Sequence, residues 1–270
     1  MNIIVLNRKP IFDAVRHLLG RGFSRAEVDV IDRAIDRSLN RDDAAAKKPR
    51  LGGLSERFES GGRGPGAVSS GKGDPGGVSY GTYQLASRTG TVGTFLANEG
   101  APWAVEFGNL RPGTEEFSAK WREIASRNPD RFADAQHDFI RRTHYLPVVT
   151  AILTQTGFDL DSRHQAVRDA VWSVAVQHGG ATRILKSAVS QMDEVLTRDH
   201  PAYDRRLVKA IYAQRSAYVL RVAGRSGPAA RNTLESITRT RYPEELKTAL
   251  AMFDAGQSMA NAEWGLPNRA

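Results

Sequence analysis

Apolar positions along the chain recur mainly at three- and four-residue spacing, the pattern of helices that bury one face. Phe12, Val15, Leu18 and Leu19 predict a first helix that Gly20 and Gly22 interrupt. Ser24-Arg25-Ala26-Glu27 then reads as a capping box opening a second run through Val28, Ile31 and Ile35. Together these make a helical hairpin, and the polar stretch Asp42–Arg50 reads as a connector. From Val92 the pattern is helical almost to the end: runs are predicted over Glu115–Ala125, Phe132–Thr154, Ser162–His178, Ala181–Leu196, Pro201–Ala223 and Pro243–Phe253. Asn261–Ala270 is expected to be an irregular tail with Trp264 as an anchor. Trp103, Trp121 and Trp172 fall in helical contexts and are assigned to the core.

Between Gly52 and Gly81 the pattern changes. This stretch holds 11 of the 25 glycines, with Pro65, Pro75 and five serines, a composition that cannot sustain helix. Phe58, Val68, Val78, Tyr80, Tyr83 and Leu85 are interleaved through and beyond it, which predicts short extended pieces and a hairpin where a solvated linker needs no such residues. The expected fold class is mainly α: an N-terminal helical hairpin over residues 1–45, then one helical domain over 46–270 with a small glycine-rich β or irregular insertion.

Composition narrows the chemistry. With 40% apolar and 25% charged residues the chain is of ordinary globular type, and without cysteine it has no disulfide, thiolate metal site or cysteine nucleophile. The 38 basic and 30 acidic residues leave +8, which favours polyanionic partners; the excess reads as spread along the chain. Because acids are interspersed and no recognition helix stands out, nucleic acid is not the expected partner. No segment is long enough to span a bilayer, and the N-terminus lacks the apolar run of a secretory signal, so synthesis in the cytoplasm and delivery by another protein are expected. His137 and His144, two helical turns apart, make no metal site by themselves, and no metal or other cofactor is expected. Walker, dinucleotide and nucleophile-elbow spacings are missing.

A carboxylate works as a general acid when burial and its surroundings raise its pKa. Leu51, Leu54 and Phe58 form one apolar helical face that Gly61-Gly62 ends. That places Glu59 in the last turn, against the negative end of the helix dipole. Asp74, in the glycine-rich loop, is the expected second carboxylate across a groove, with Glu56 and Glu99 as rivals. Its turn-forming neighbours Pro75-Gly76-Gly77 also explain it without catalysis.

Glu59-Ser60-Gly61-Gly62, Ala67-Val68-Ser69 and Gly81-Thr82-Tyr83-Gln84-Leu85 in that order resemble the signature of the lysozyme superfamily, nearest to soluble lytic transglycosylases, goose-type lysozymes and phage endolysins. The matched block covers residues 54–87. The resemblance implies a lysozyme-like domain and a monomeric glycosidase acting on the glycan strands of peptidoglycan, with Glu59 as the acid. Gly81 and Gln84 would sit in the substrate groove; Thr82 is a further candidate there, and of Tyr80 and Tyr83, both able to stack on sugar faces, strand alternation assigns one to the core. Delivery would then come from a phage holin or an injection machine, and the action would lie at the cell wall. This chain departs from the family in a longer link between Ser69 and Gly81 and in having Tyr83 where transglycosylases commonly carry Met. It also lacks their Ala-Tyr-Asn-Ala-Gly element, for which Val174–Gly180, with Gln177 and His178, is the candidate substitute. The alternatives are a chitinase or chitosanase, and a non-catalytic wall-binding or virion structural protein on the same scaffold.

Overall fold

The computed structural model describes residues 9–24, 27–28, 31, 51–53 and 64–263. It divides into two compact units, Met1–Arg50 and Leu51–Ala270.

In the first unit α1 spans Lys9–Leu19 and stops at Gly20, whose φ of +63° suits a residue without Cβ. The capping box forms as the sequence predicts. The Glu27 N–H donates to Ser24 Oγ at 3.3 Å, and the Ser24 N–H donates to Glu27 Oε2 at 2.9 Å.

The second unit is helical apart from the glycine-rich segment, in keeping with the mainly α expectation. Strands β1 (Ser79–Tyr80) and β2 (Leu85–Ala86) pair antiparallel, Ser79 with Ala86 and Tyr80 with Leu85, and Val68 bridges to Tyr80 on the other side. The alternation of Val68, Tyr80 and Leu85 therefore does encode a hairpin. Four helices follow: α2 (Thr91–Leu96), α3 (Ala101–Phe107), α4 (Glu115–Arg127) and α5 (Pro129–Ile140). Their apolar faces close on a cluster of rings in which Trp121 meets Phe132 at 4.7 Å and Phe107 stacks on Phe117 at 4.4 Å. Trp103, Trp121 and Trp172 are all buried.

The predicted run Phe132–Thr154 is three pieces in one rod. α5 leads into a π-helical turn, Arg141–Tyr145, and then into α6, Leu146–Thr156. Pro147 offers no N–H to the carbonyl one turn back, and the Leu146 N–H reaches Arg141 O instead. After a 3₁₀ turn at Leu160–Ser162 comes α7, Gln165–Gln177. Every residue from Ala166 to Ala175 is buried, so α7 is the central helix, wrapped on all sides. Around it lie α8 (Ala181–Asp193), α9 (Tyr203–Ala223) and α11 (Arg241–Glu263), while α10 (Pro228–Arg239) packs outside them on α9 and α11. Sequence periodicity did not reveal α10, and α11 is longer than the predicted Pro243–Phe253. The expected irregular tail is helical at 261–263, while Trp264 lies outside the described residues. Among the described residues no helix is long and apolar enough to cross a membrane.

Candidate functional site

The glycine-rich segment is an ordered platform. The Ser69 N–H donates to Ser79 O at 2.9 Å and the Gly81 N–H to Ala67 O at 2.7 Å, which lays Ala67–Ser69 beside β1. Ser69 Oγ accepts from the N–H groups of Ser79 at 2.8 Å and Gly71 at 3.3 Å, leaving its own proton to donate. Gln84, in the turn between the strands, has φ of +53°, a left-handed backbone that a side chain normally avoids, and its Nε2 donates to Gly81 O at 3.0 Å. Ala67, Val68, Ser69, Ser70 and Gln84 line an open cleft of about 370 Å³. The second and third elements of the sequence motif thus meet at one polar surface.

Buried side chains from α4, α5 and α7 hold this platform and the residues on either side of 54–63. Gln136 is fully buried; its Oε1 accepts the Thr82 N–H at 3.0 Å and its Nε2 donates to Pro65 O at 3.0 Å. Trp121 Nε1 donates to the same Pro65 oxygen at 2.8 Å. At Gly81, φ +73°, a Cβ would stand 2.2 Å from Gln136 Oε1, so this position admits only glycine. Before residue 54, Leu51 O meets His137 Nε2 at 2.9 Å and the Gly52 N–H donates to Asp169 Oδ1 at 3.1 Å. Glu59, the predicted acid, and Glu56, a rival of Asp74 for the second carboxylate, lie outside the described residues.

The other predicted site residues separate. Tyr80 is completely buried, with its hydroxyl 3.0 Å from Ser118 Oγ and accepting the Gly113 N–H at 2.9 Å. It is a core residue and cannot stack on a ligand, because its strand turns that side toward α4. Tyr83 is half-buried with its ring near those of His137 and Trp172, and Thr82 is held through its backbone. Asp74 is exposed and caps its own turn, accepting the Gly76 N–H at 2.7 Å, so the turn chemistry accounts for it. Glu99 is engaged by both Arg142 nitrogens, at 2.5 and 3.0 Å. Among the described residues no group of three His, Asp or Glu side chains could hold a metal ion.

Gln177 and His178 belong to a different place, a polar cluster between α7, α9 and α11 that sequence reasoning missed. Arg215 and Glu245, both fully buried, pair at 2.8 Å, and Arg241 binds the other Glu245 oxygen. Ser173 and Tyr212 each donate to Glu245 Oε2 at 3.1 Å. Arg215 also donates to Gln177 Oε1 and to His178 Nε2, the latter at 3.1 Å, and its guanidinium lies 4.1 Å from the centre of the Tyr242 ring. Burial, with the charges of Arg215 and Arg241, pushes the His178 pKa down to about 4 against the opposing pull of Glu245. Burial raises the Glu245 pKa, but the two guanidiniums outweigh it and hold the carboxyl below its ordinary value. The readable signal was an arginine on the buried face of α9, in register with Leu207, Val208 and Ile211. Gln177 and His178, with Tyr218, Leu234, Arg241 and Tyr242, open onto a second cleft of about 340 Å³ that shares no lining residue with the first.

Residues 51–243 match the family described as type VI secretion system spike protein VgrG3-like, C-terminal. The type VI secretion system spike protein VgrG3 of Vibrio cholerae serotype O1 (strain ATCC 39315 / El Tor Inaba N16961) is 40% identical over 151 residues, 55% of this chain. The chain spans only 15% of the length of that relative. These findings overturn the assignment to the lysozyme superfamily, and with it the phage endolysin and the peptidoglycan glycosidase built on Glu59. That assignment rested on three short motifs within residues 54–87, whereas the family match runs through the helices on which the platform stands.

Proposed function

The chain belongs to the family of VgrG3-like, C-terminal regions of type VI secretion spike proteins, and from that premise we propose that it is a wall-engaging domain carried out of the cell on a secretion spike. The spike takes the place of the expected phage holin, and peptidoglycan glycan is the ligand. The observation that carries this reading is the cleft beneath the hairpin. It is open, about 370 Å³, and faced by the hydroxyls of Ser69 and Ser70 and by Gln84. Hydroxyl and amide groups of that kind suit the hydroxyls and acetamido groups of amino sugars. The net charge of +8 favours adsorption to an acidic envelope.

Ser70 is exposed at the rim of this cleft. Ser70→Trp fills the cleft without touching the core, and co-sedimentation of the full chain with purified sacculi is expected to weaken at least about tenfold, a loss of about 1.4 kcal/mol. Unchanged sedimentation by a folded Ser70→Trp chain sinks the reading. A second reading, an enzyme acting on peptidoglycan, is favoured by the left-handed backbone at Gln84, since strain of this kind gathers where reacting groups are held in place. Soluble muropeptides released from the same sacculi separate turnover from binding alone.

A further inference from the structure

The excess charge, expected to be spread along the chain, sits in one stretch. Residues 205–241 hold nine arginines and lysines against a single acid, Glu235, a balance of +8. The whole chain has 38 basic and 30 acidic residues, so everything outside this stretch is neutral, 29 against 29. Three of the nine are engaged: Arg205 with Asp254, and Arg215 and Arg241 with Glu245. Arg206, Lys209, Arg221, Arg225, Arg231 and Arg239 are exposed, and none has an acidic partner among the described residues.

Three of these six cations lie where α9 ends and α10 begins. From Leu220 to Asn232 only Ala223 is buried, so the chain here forms a projecting tip. Arg221, Arg225 and Arg231 stand on it among Leu220, 48% exposed, Val222, 38% exposed, and Pro228-Ala229-Ala230. Arg231 also donates to Ala223 O at 3.3 Å, which ties α10 to the end of α9. No aromatic residue occurs between Tyr218 and Tyr242, so the tip offers no stacking platform for nucleic-acid bases. It offers aliphatic side chains ringed by guanidiniums. An anionic bilayer surface presents phosphate charge directly above an acyl boundary and complements both.

We propose that the α9–α10 tip is a peripheral docking surface for an anionic phospholipid membrane, which would hold the protein at the bilayer next to the wall without inserting a span. The inference stands apart from the glycan cleft. To test it, the full chain is sedimented with vesicles of phosphatidylcholine mixed with phosphatidylglycerol, with vesicles of phosphatidylcholine alone, and with double-stranded DNA at matched salt. Binding to the anionic vesicles is expected, falling as salt rises. Arg221→Glu with Arg225→Glu should reduce it more than tenfold, and Leu220→Ser severalfold. A control reversing the exposed Arg111 and Arg131 lowers the net charge equally and should leave most of the binding intact. Sedimentation with sacculi at high salt, where charge-driven adsorption is screened and only the glycan cleft holds the wall, should be unchanged in the tip variants, so the membrane and wall readings fail independently. Equal losses from tip and control reversals, no preference for anionic vesicles, or tighter binding to DNA would overturn the proposal.

Discussion

The amide of Gln136 holds two backbone segments at once, Thr82 in the hairpin turn and Pro65 just after residues 54–63. Leucine at 136 would fill the same space, take the partner from the Thr82 N–H and leave the Pro65 carbonyl with Trp121 alone. Gln136→Leu is expected to lower the unfolding free energy by about 2–4 kcal/mol, read by urea titration. His178 yields a pH prediction. Its folded pKa is about 4 against an ordinary 6.5, so between those values the unfolded chain binds a proton that the folded chain refuses. Stability is therefore complete above about pH 6.5 and lost as pH falls toward 4. Burial shifts His144 and His164 in the same direction. The melting temperature should drop between about pH 7.5 and about pH 5, and His178→Gln should shrink that drop. At this scale the sequence was partly legible. Alternation pointed to one of Tyr80 and Tyr83 as core but not to Tyr80, because which side of a two-residue strand faces α4 depends on tertiary packing. Gln136 was missed since a buried amide on a helix looks like any polar surface residue until its backbone partners, 54 and 71 positions away, are known.

Elements with long apolar stripes were readable from α4 to α9, as was the hairpin. What escaped was α10. It carries no buried residue, its apolar side is only half-covered, and Gly224 and Gly227 before it, with Pro228 at its first position, look like a break. A helix with so little burial should open on its own. Amide exchange in Pro228–Arg239 is expected to run at least about a hundredfold faster than in α7, where ten consecutive residues are buried. Equal protection in the two helices would show that α10 belongs to the same cooperative unit. The π-helical turn escaped for a different reason: apolar spacing changes little over five residues, and only Pro147 hinted at the altered hydrogen bonding.

For the whole molecule, charge and fold class could be read from composition and period, while kinship could not. Short motifs around Gly81 and Gln84 suggested the lysozyme superfamily, and the match over residues 51–243 places the chain instead in the VgrG3-like, C-terminal family. The motif residues nonetheless come together, since Ala67, Ser69 and Gln84 line one cleft. The proposed engagement of the wall by this surface is read by a binding isotherm of the purified chain on intact sacculi at several salt concentrations. Saturable binding that persists at high salt and is competed by soluble glycan fragments is the predicted result. Binding that vanishes with salt and ignores those fragments would contradict it, leaving charge alone to account for adsorption.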